Sequence, residues 1–458
     1  MTQDPIFAMA RHVCETTIAD IPAEAVEAAK TFILDTLGVA ITGTKGPMAS
    51  ELVTAALNMG SANDARIWGT GQRMPAAAAA LCNAYHAHCQ EFDCVHEGAV
   101  AHVMTIVLPA ALGTAERVGG VSGLRLLEAV ILGVDVAVSL GVAAESGLRF
   151  FRPGTAGAFG GVAAAGKLLG FDTAGMVEAF SMAYGQLCGT MQAHTEGSGL
   201  LAMQMGFNAR NAVTAVDLAQ AGFTGPHNIL TGDFGYFRLF EDGGDPQATL
   251  SRLGKQWRIT EIAHKPFPSG RATHGILDGC LALQQAHGFV AKDIAEIQLS
   301  VPPLIQNLVG RPPKADMAIN YARLCARYVL ACAMFEGEVS LSDFTDEAYQ
   351  RTDRQTLAAS TTITVVDEGD PNALVPINIH MSLKDGRELH RIVEHVYGSP
   401  DNPMPRAAHL AKFRQNCQNG LNSISPRQVE VMIQMVDQLE KLPDVTDLVG
   451  ITIVEEGL

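Results

Sequence analysis

Apolar positions recur at spacings of three and four through most of the first half of the chain, and at a spacing of two only in its second half. In the segment IPAEAVEAAKTFILDTLG, Val26, Ala29, Ile33 and Leu37 share one helical face. Pro22 suits a first helical turn and Gly38 is the expected stop. The same small-residue periodicity predicts helices over 76–91, 123–145, 156–169, 173–189 and 200–221, closed by a turn at GFTGPHN, 222–228. Near Trp257 the pattern changes. IAEIQLSV (294–301), TTITVVD (361–367) and VPINIHMSLKDGREL (375–389) alternate or are β-branched, with a hairpin signal at Asp385-Gly386. Helical patterns at 271–287 and 320–337 lie among them, and 405–442 returns to helix. The expected fold class is mainly α, a large discontinuous all-helical domain plus a smaller α+β lid domain. The helical domain takes 1–262 and 403–458, its tail packing back on its first part, and the lid takes 263–402.

Composition agrees with two domains, because 458 residues exceed the usual size of one hydrophobic core. With 48% apolar residues, 17% charged and 45 glycines, the helices are expected to pack closely and to bury a large surface, an oligomer interface included. The net charge of −16 argues against nucleic acid and against a basic membrane-surface role, yet leaves room for a locally basic pocket. The most apolar tract, 126–144, is interrupted by Glu128 and Asp135 and reads as a buried helix instead of a membrane span. Nine cysteines, odd in number and without a CxxC pair, read as reduced thiols. No signal-peptide pattern is present at the N-terminus, so a cytoplasmic location is expected.

Candidate chemistry gathers in two places. FDCVHEGAVAHVMTIVLP, 92–109, breaks an Ala-rich helical region with Asp93, His96 and His102, groups that exchange protons near neutral pH or hold an anion or a metal. Histidines at helix ends also serve simply as caps. HKPFPSGRATHGILDG, 264–279, brings Lys265, Arg271 and His274 to a loop entering a helix at the inferred domain boundary, a natural place to bind an anion. A solvated basic turn is its bland alternative. Three decoys are set aside. GVAAAGKL, 161–168, nearly spells a phosphate-binding loop, but Leu168 replaces the hydroxyl residue and no strand precedes it. Its neighbours Gly154, Gly157, Gly160 and Gly161 fit close approach between helices or to a ligand. Cys82, His86, Cys89, Asp93 and His96 mix soft and hard ligands without a zinc spacing, and Cys82, Cys89 and Cys94 do not match an iron–sulfur run. No metal is expected.

Six stretches in order carry a resemblance: AKTFILDTLG (29–38), the FD..H.....H segment (92–102), GTAGAFG (154–160), GFTGP (222–226), KPFPSGRATH (265–274) and GSPDNPM (398–404) followed by Lys412-Phe413. Through them the chain resembles the MmgE/PrpD family of 2-methylcitrate dehydratases, cis-aconitate decarboxylases and an iminodisuccinate epimerase. The resemblance implies a helical domain with an α+β lid, a homodimer, and a cleft that binds small di- or tricarboxylates without metal or cofactor. It places Asp93, His102 and Lys265 at catalytic positions, and His96, Arg271 and His274 at recurrent polar positions nearby. Where the family often has a His, this chain has Phe151-Arg152-Pro153, and where it often has a Lys and a His after a DGS-like triplet, Leu201 and Gln204 follow Glu196–Ser198. Gly270 and Leu308 stand near a further His and a Tyr of decarboxylase-like members. These departures count against cis-aconitate decarboxylase itself and move the specificity question to Arg152, Leu201 and Gln204.

In the expected mechanism His102 is general base or acid and Asp93 orients it or exchanges a second proton, while Lys265, Arg271 and Arg152 hold substrate carboxylates. The leading expectation is a cofactor-independent lyase of the 2-methylcitrate dehydratase type. A dicarboxylate epimerase is the first alternative, and a carboxylate-binding homologue without catalysis the second. Neither nucleic acid nor membrane is expected as a partner.

Overall fold

The computed structural model describes residues 3–366 and 370–453, so the strand end expected at Asp367 and the extreme ends of the expected helical domain lie outside the described residues. Five helices form the centre of the first half: α2 (Ala76–His88), α3 (Met104–Val118), α4 (Gly123–Ala143), α5 (Arg152–Leu169) and α6 (Leu200–Gln220). α6 packs along α2 and α5, while α5 packs on α3 and α4. Glycine permits this closeness. A Cβ added at Gly160 would lie 2.6 Å from the Gly133 carbonyl oxygen of α4, and one at Gly157 would lie 2.7 Å from Ile106 of α3. The glycines just ahead of the rejected phosphate loop are therefore helix-contact positions. α4 is long and apolar enough to cross a membrane by length and composition, but it is buried among its neighbours. Its Asp135 lies 3.1 Å from His12 and accepts the Arg258 backbone N–H at 2.8 Å.

Several expected element ends differ. α1 runs Ala23–Gly43, straight through Gly38, which instead makes room for the Phe413 ring: a Cβ there would meet it at 2.6 Å. α3 starts at Met104 and contains Pro109, so the apolar end of the 92–109 stretch is helix. α5 begins four residues before the expected start, with Pro153 in its first turn, where the missing N–H does no harm. The helix expected over 173–189 ends at Tyr184. The helix expected over 320–337 is broken into Ile319–Arg323 and α8 (Ala326–Glu336). The break turns Arg323 toward the end of α2, where it donates to the Cys89 carbonyl at 2.7 Å.

The second half carries a four-stranded sheet, β1 (Ile294–Val301), β2 (Thr361–Val365), β3 (Ile377–Leu383) and β4 (Glu388–Val393), in the order β2-β1-β3-β4. β1 runs parallel to β2 and antiparallel to β3, and β3 and β4 form a hairpin whose Gly386 takes φ 91°. Alternate positions of β3 are buried under α7 (Arg271–His287), which also packs on α8. Beyond the sheet, α9 (Arg406–Gln418) returns to α1. Lys412 Nζ donates to Asp35 Oδ1 at 2.7 Å and to the Phe92 carbonyl at 2.9 Å, tying this tail to the first polar stretch.

Candidate active site

α2 ends in a turn that carries His86 and His88, and the chain then passes through the 89–103 segment before α3 begins. Here Val95 pairs with Ala263 and His96 with Ala101 in isolated bridges. Glu91 and Val100 adopt left-handed backbone, φ 51° and 48°. That conformation is strained for a β-branched side chain, and it is held by the Val100 N–H to Glu97 carbonyl bond of 2.9 Å inside the His96–Ala101 pair. The tight loop brings the last turn of α2 against the first turn of α3. His88 comes from one side, His102 and Thr105 from the other, and Asp93 lies between.

Asp93 is the hub. Its Oδ2 accepts from His88 Nδ1 at 2.9 Å and from Thr105 Oγ1 at 2.7 Å, and lies 3.0 Å from His102 Nδ1. Its Oδ1 is 3.7 Å from Lys265 Nζ. Lys265 has no exposed surface and donates to Glu91 Oε2 at 2.9 Å and to the Glu91 carbonyl at 3.2 Å. Glu91 Oε1 in turn lies 3.5 Å from His88 Nε2.

Burial would raise both carboxyls, but the surrounding cations win. His102, His88 and Lys265 hold Asp93 well below the usual carboxylate range, and Lys265 with the two histidines lowers Glu91 to about 2. The two imidazoles part company. Burial, only partly opposed by Asp93, holds His102 below the ordinary histidine value, with Lys265 and His88 adding to the depression. Burial also works against His88, but Asp93 and Glu91 together outweigh it and raise His88. Two titratable neighbours pushed in opposite directions are the usual sign of a base and an acid. With Nδ1 turned to Asp93, His102 presents Nε2 as the basic atom.

Both histidines line a cavity of about 620 Å³, its open mouth included, together with Glu91, Glu97, His194 and Arg271. The remaining wall is largely apolar, with Phe151, Leu201, Leu308 and Leu374 among it. Walls come from both halves of the chain, so a small molecule there would touch the helical part and the α7 region at once. Arg271, in the first turn of α7, donates through Nε to Glu97 Oε1 at 2.7 Å and through Nη1 to the His264 and Tyr397 carbonyls at 3.0 and 2.8 Å.

The structure brings His102 and Arg271 to the cavity wall and buries Asp93 and Lys265 behind it; Lys265, expected to hold a substrate carboxylate, is a correction, since it is spent on Glu91 and Asp93 and does not line the cavity. Four other expected binding residues are placed differently. Arg152 is a correction: its guanidinium pairs with Glu241 through two 2.8 Å bonds and reaches the Ser146 carbonyl, and it does not line the cavity. Gln204 is buried with Oε1 accepting the Thr190 N–H at 2.7 Å, a backbone brace away from the cavity wall. His96 spends both nitrogens away from substrate, Nδ1 accepting the Ala99 N–H of its own loop at 3.0 Å and Nε2 lying 2.8 Å from Glu261 beyond it. His274 is fully buried behind Arg271, whose Nη1 lies 3.4 Å from its Nδ1; burial, Arg271 and Lys265 keep it neutral, well below the ordinary value. It orients the arginine and offers substrate nothing directly.

Reading the sequence missed His88, Glu91, Glu97 and His194. His88 and Glu91 fall in the end of an Ala-rich helical pattern, where a polar residue reads as a cap. Their signal was the doubling of histidine at 86 and 88 just ahead of Asp93. His194 stands two residues before the Glu196–Ser198 triplet; burial and the Arg311 charge lower it to about 4.

Of the mixed metal set considered from sequence, Cys82 and His86 are buried apart from Asp93, with Cys82 Sγ against Met74 Sδ at 4.0 Å. His88, Asp93 and His102 do place one donor atom each within 4.8 Å of one another, as do Asp35, His264 and His409. In each set an ammonium stands beside the carboxylate, Lys265 at 3.7 Å and Lys412 at 2.7 Å. A neighbouring cation opposes a second one, and proton handling suits the first set better.

Comparison with known proteins points one way. The family model for the MmgE/PrpD N-terminal domain matches residues 8–249, and that for the MmgE/PrpD C-terminal domain matches residues 267–440. The chain is similar to cis-aconitate decarboxylase of Aspergillus terreus, 26% identical over 457 residues that cover 94% of this chain and 93% of that protein. It is similar to the cis-aconitate decarboxylase of Mus musculus, 27% identical over 434 residues, 91% and 86% of the two chains. The cis-aconitate decarboxylase-like protein oryM of Aspergillus oryzae is 26% identical over 463 residues, 96% and 95%.

Proposed function

Because the chain belongs to the MmgE/PrpD family, we propose that its cavity is the active site of a lyase that removes a proton next to a carboxylate and expels a group from the neighbouring carbon. At the level of class it is an enzyme acting on carboxylates, as its decarboxylase relatives support. The observation that carries the reading is the geometry around Asp93: His102 and His88 both turn Nδ1 to its Oδ2 and both line the cavity, with His102 lowered by burial and His88 raised by its carboxylates.

In the dehydration we favour, His102 Nε2 takes the proton on the carbon beside the carboxylate. The electron pair of that C–H bond becomes the new carbon–carbon double bond as the neighbouring C–O bond breaks. The hydroxyl leaves with the proton of His88 as water. His102 has then gained on Nε2 the proton that His88 lost, and because Asp93 touches only the Nδ1 atoms, exchange with water through the open mouth as product leaves restores the pair. Arg271, also in the cavity lining, holds the substrate carboxylate while charge builds on it. Lys265 acts from behind, keeping Asp93 and Glu91 ionised so that the two imidazoles stay oriented. Since both imidazoles sit on one wall, with ring centres 4.8 Å apart, the proton and the hydroxyl leave from the same face.

Dehydration is favoured over decarboxylation because it needs an acid for the leaving hydroxyl, which His88 supplies. The decarboxylase reading is the second, on the strength of the relatives. An epimerase needs proton-transfer groups on opposite faces, and the paired imidazoles do not offer that. The test is incubation with hydroxy acids in deuterated water, following deuterium at the carbon beside the carboxylate by NMR and alkene absorbance in the ultraviolet. Exchange accompanied by alkene is expected, and both are lost in His102→Ala. Exchange and racemisation without alkene would move the assignment to an epimerase, carbon dioxide release to a decarboxylase, and binding without any turnover to a non-catalytic homologue.

A further inference from the structure

We infer that the cavity is built for an acid with a single carboxylate and an apolar arm, and that Glu97 is the residue that turns a second carboxylate away. The inference rests on the lyase reading for its chemistry, but its physical argument is the count of charges around the cavity. Among the described residues, Lys265, Arg271 and Arg152 are each already held by an anion, and no unpaired Lys or Arg lines the cavity. Lys265 is buried against Glu91 at 2.9 Å and Asp93 at 3.7 Å, Arg271 is bound by Glu97 at 2.7 Å, and Arg152 is spent on Glu241. Arg311 stands behind His194, donating to its carbonyl at 3.0 Å and lying 3.2 Å from its Nδ1, outside the lining.

One seat for an anion remains. Arg271 Nη2 has only a 3.5 Å contact to the Val396 carbonyl, and its partner Glu97 is the more exposed of the two, with 26% of its side chain accessible against 4% for the arginine. A substrate carboxylate can take that guanidinium edge with Glu97 shifting outward. A second carboxylate on the same molecule would meet Glu97 again, or the wall of Leu148, Phe151, Leu201, Leu308, Leu324 and Leu374, and would lose its water for no partner. An alkyl arm gains from the same wall. Leu201 and Leu308 thus supply the arm's surface, and Glu97 supplies the discrimination by repulsion.

The experiment compares 3-hydroxyhexanoate with citrate and 2-methylcitrate on the full chain, reading kcat/KM for alkene formation and exchange in deuterated water. We expect the monocarboxylate to be preferred by about tenfold or more, a difference one well-placed charge readily produces. In Glu97→Gln the ratio should move toward the tricarboxylates by about tenfold, and Leu201→Lys should move it further. Tricarboxylates preferred by the unaltered protein would overturn the inference and leave the lyase reading standing. If no acid is turned over, the lyase reading falls and calorimetric binding decides. Hexanoate bound more tightly than citrate then sustains the inference; citrate bound more tightly, or neither bound, overturns it.

Discussion

Asp93 Oδ2 lies within 3.0 Å of three donor atoms, on His88, His102 and Thr105, and that crowding sets the chemistry of both imidazoles. Removing either ring should therefore have a separable effect. His102→Ala is expected to lower both deuterium exchange and elimination by about 10²–10⁴-fold, the usual range for a lost general base. His88→Ala should lower elimination by about 10²-fold while leaving exchange within about tenfold, because the proton is still removed but the hydroxyl leaves unassisted. Equal loss of both rates in His88→Ala would take the acid role from it. The pH dependence follows from the same split. His102 must be neutral, and its lowered value puts the acid limb of kcat/KM below about 6.5, where activity rises with pH. His88 must be charged, and its raised value puts the falling limb above about 6.5. A pH–rate profile with a plateau bracketing that value is expected, and a rate that keeps climbing through alkaline pH would contradict the assignment.

At the scale of elements, α5 shows what the sequence made legible and what it did not. Its small-residue period announced a closely packed helix, and Gly157 and Gly160 do meet α3 and α4. Its first residue, Arg152, carried no sign of its partner, because Glu241 is 89 positions away and only the fold brings them together. The pair is buried on both sides, so Arg152→Ala strands the Glu241 carboxylate. We expect that to lower stability by about 3–5 kcal/mol, seen as a lower thermal midpoint, with KM of the folded fraction within about twofold of the original. A large rise in KM with unchanged stability would return Arg152 to the cavity. Strands β1 and β3 and helix α7 were legible for a local reason, their period and turn residues, as was the Asp385-Gly386 hairpin. The stop at Gly38 was misread since its meaning lies in Phe413 of α9, and the break before α8 since its cause is Arg323 reaching α2. In the site, Asp93, His102, Lys265 and Arg271 were visible as polar residues in polar stretches. Glu97 and His194 were not, because their part depends on which wall of a cavity they face.

The whole molecule buries an unusual set of neutral histidines, and that makes its stability depend on pH over a defined window. Burial lowers His86 to about 4, with no ionic partner to help it charge. His194 and His409 are likewise held at about 4 and His264 at about 3, all chiefly by burial, with Arg311 adding to the first and Lys412 to the other two. For each, the unfolded chain takes up a proton near 6.5 while the folded chain refuses it until far lower pH. Their contribution is thus intact above about 6.5 and drains away as pH falls from there toward their folded values. Asp35, Asp93 and Glu91 extend the loss further down, since lowered carboxyls stabilise above about 4 and surrender that stability as pH drops toward about 2 for Glu91. Two groups of groups oppose the trend. Asp135 and Glu116 are raised by burial and gain from acid, and His88, raised by its carboxylates, favours the folded state until pH climbs through its own value. The lowered set is larger, so the sign on the acid side is settled: the thermal midpoint should begin to fall just below 6.5 and fall more steeply below about 4. His86→Leu tests the histidine part alone, because that ring has no hydrogen-bond partner on either nitrogen. Calorimetric scans of both proteins across this range should show the variant losing less stability between pH 6.5 and about 4, and identical slopes would remove His86 from the acid sensitivity.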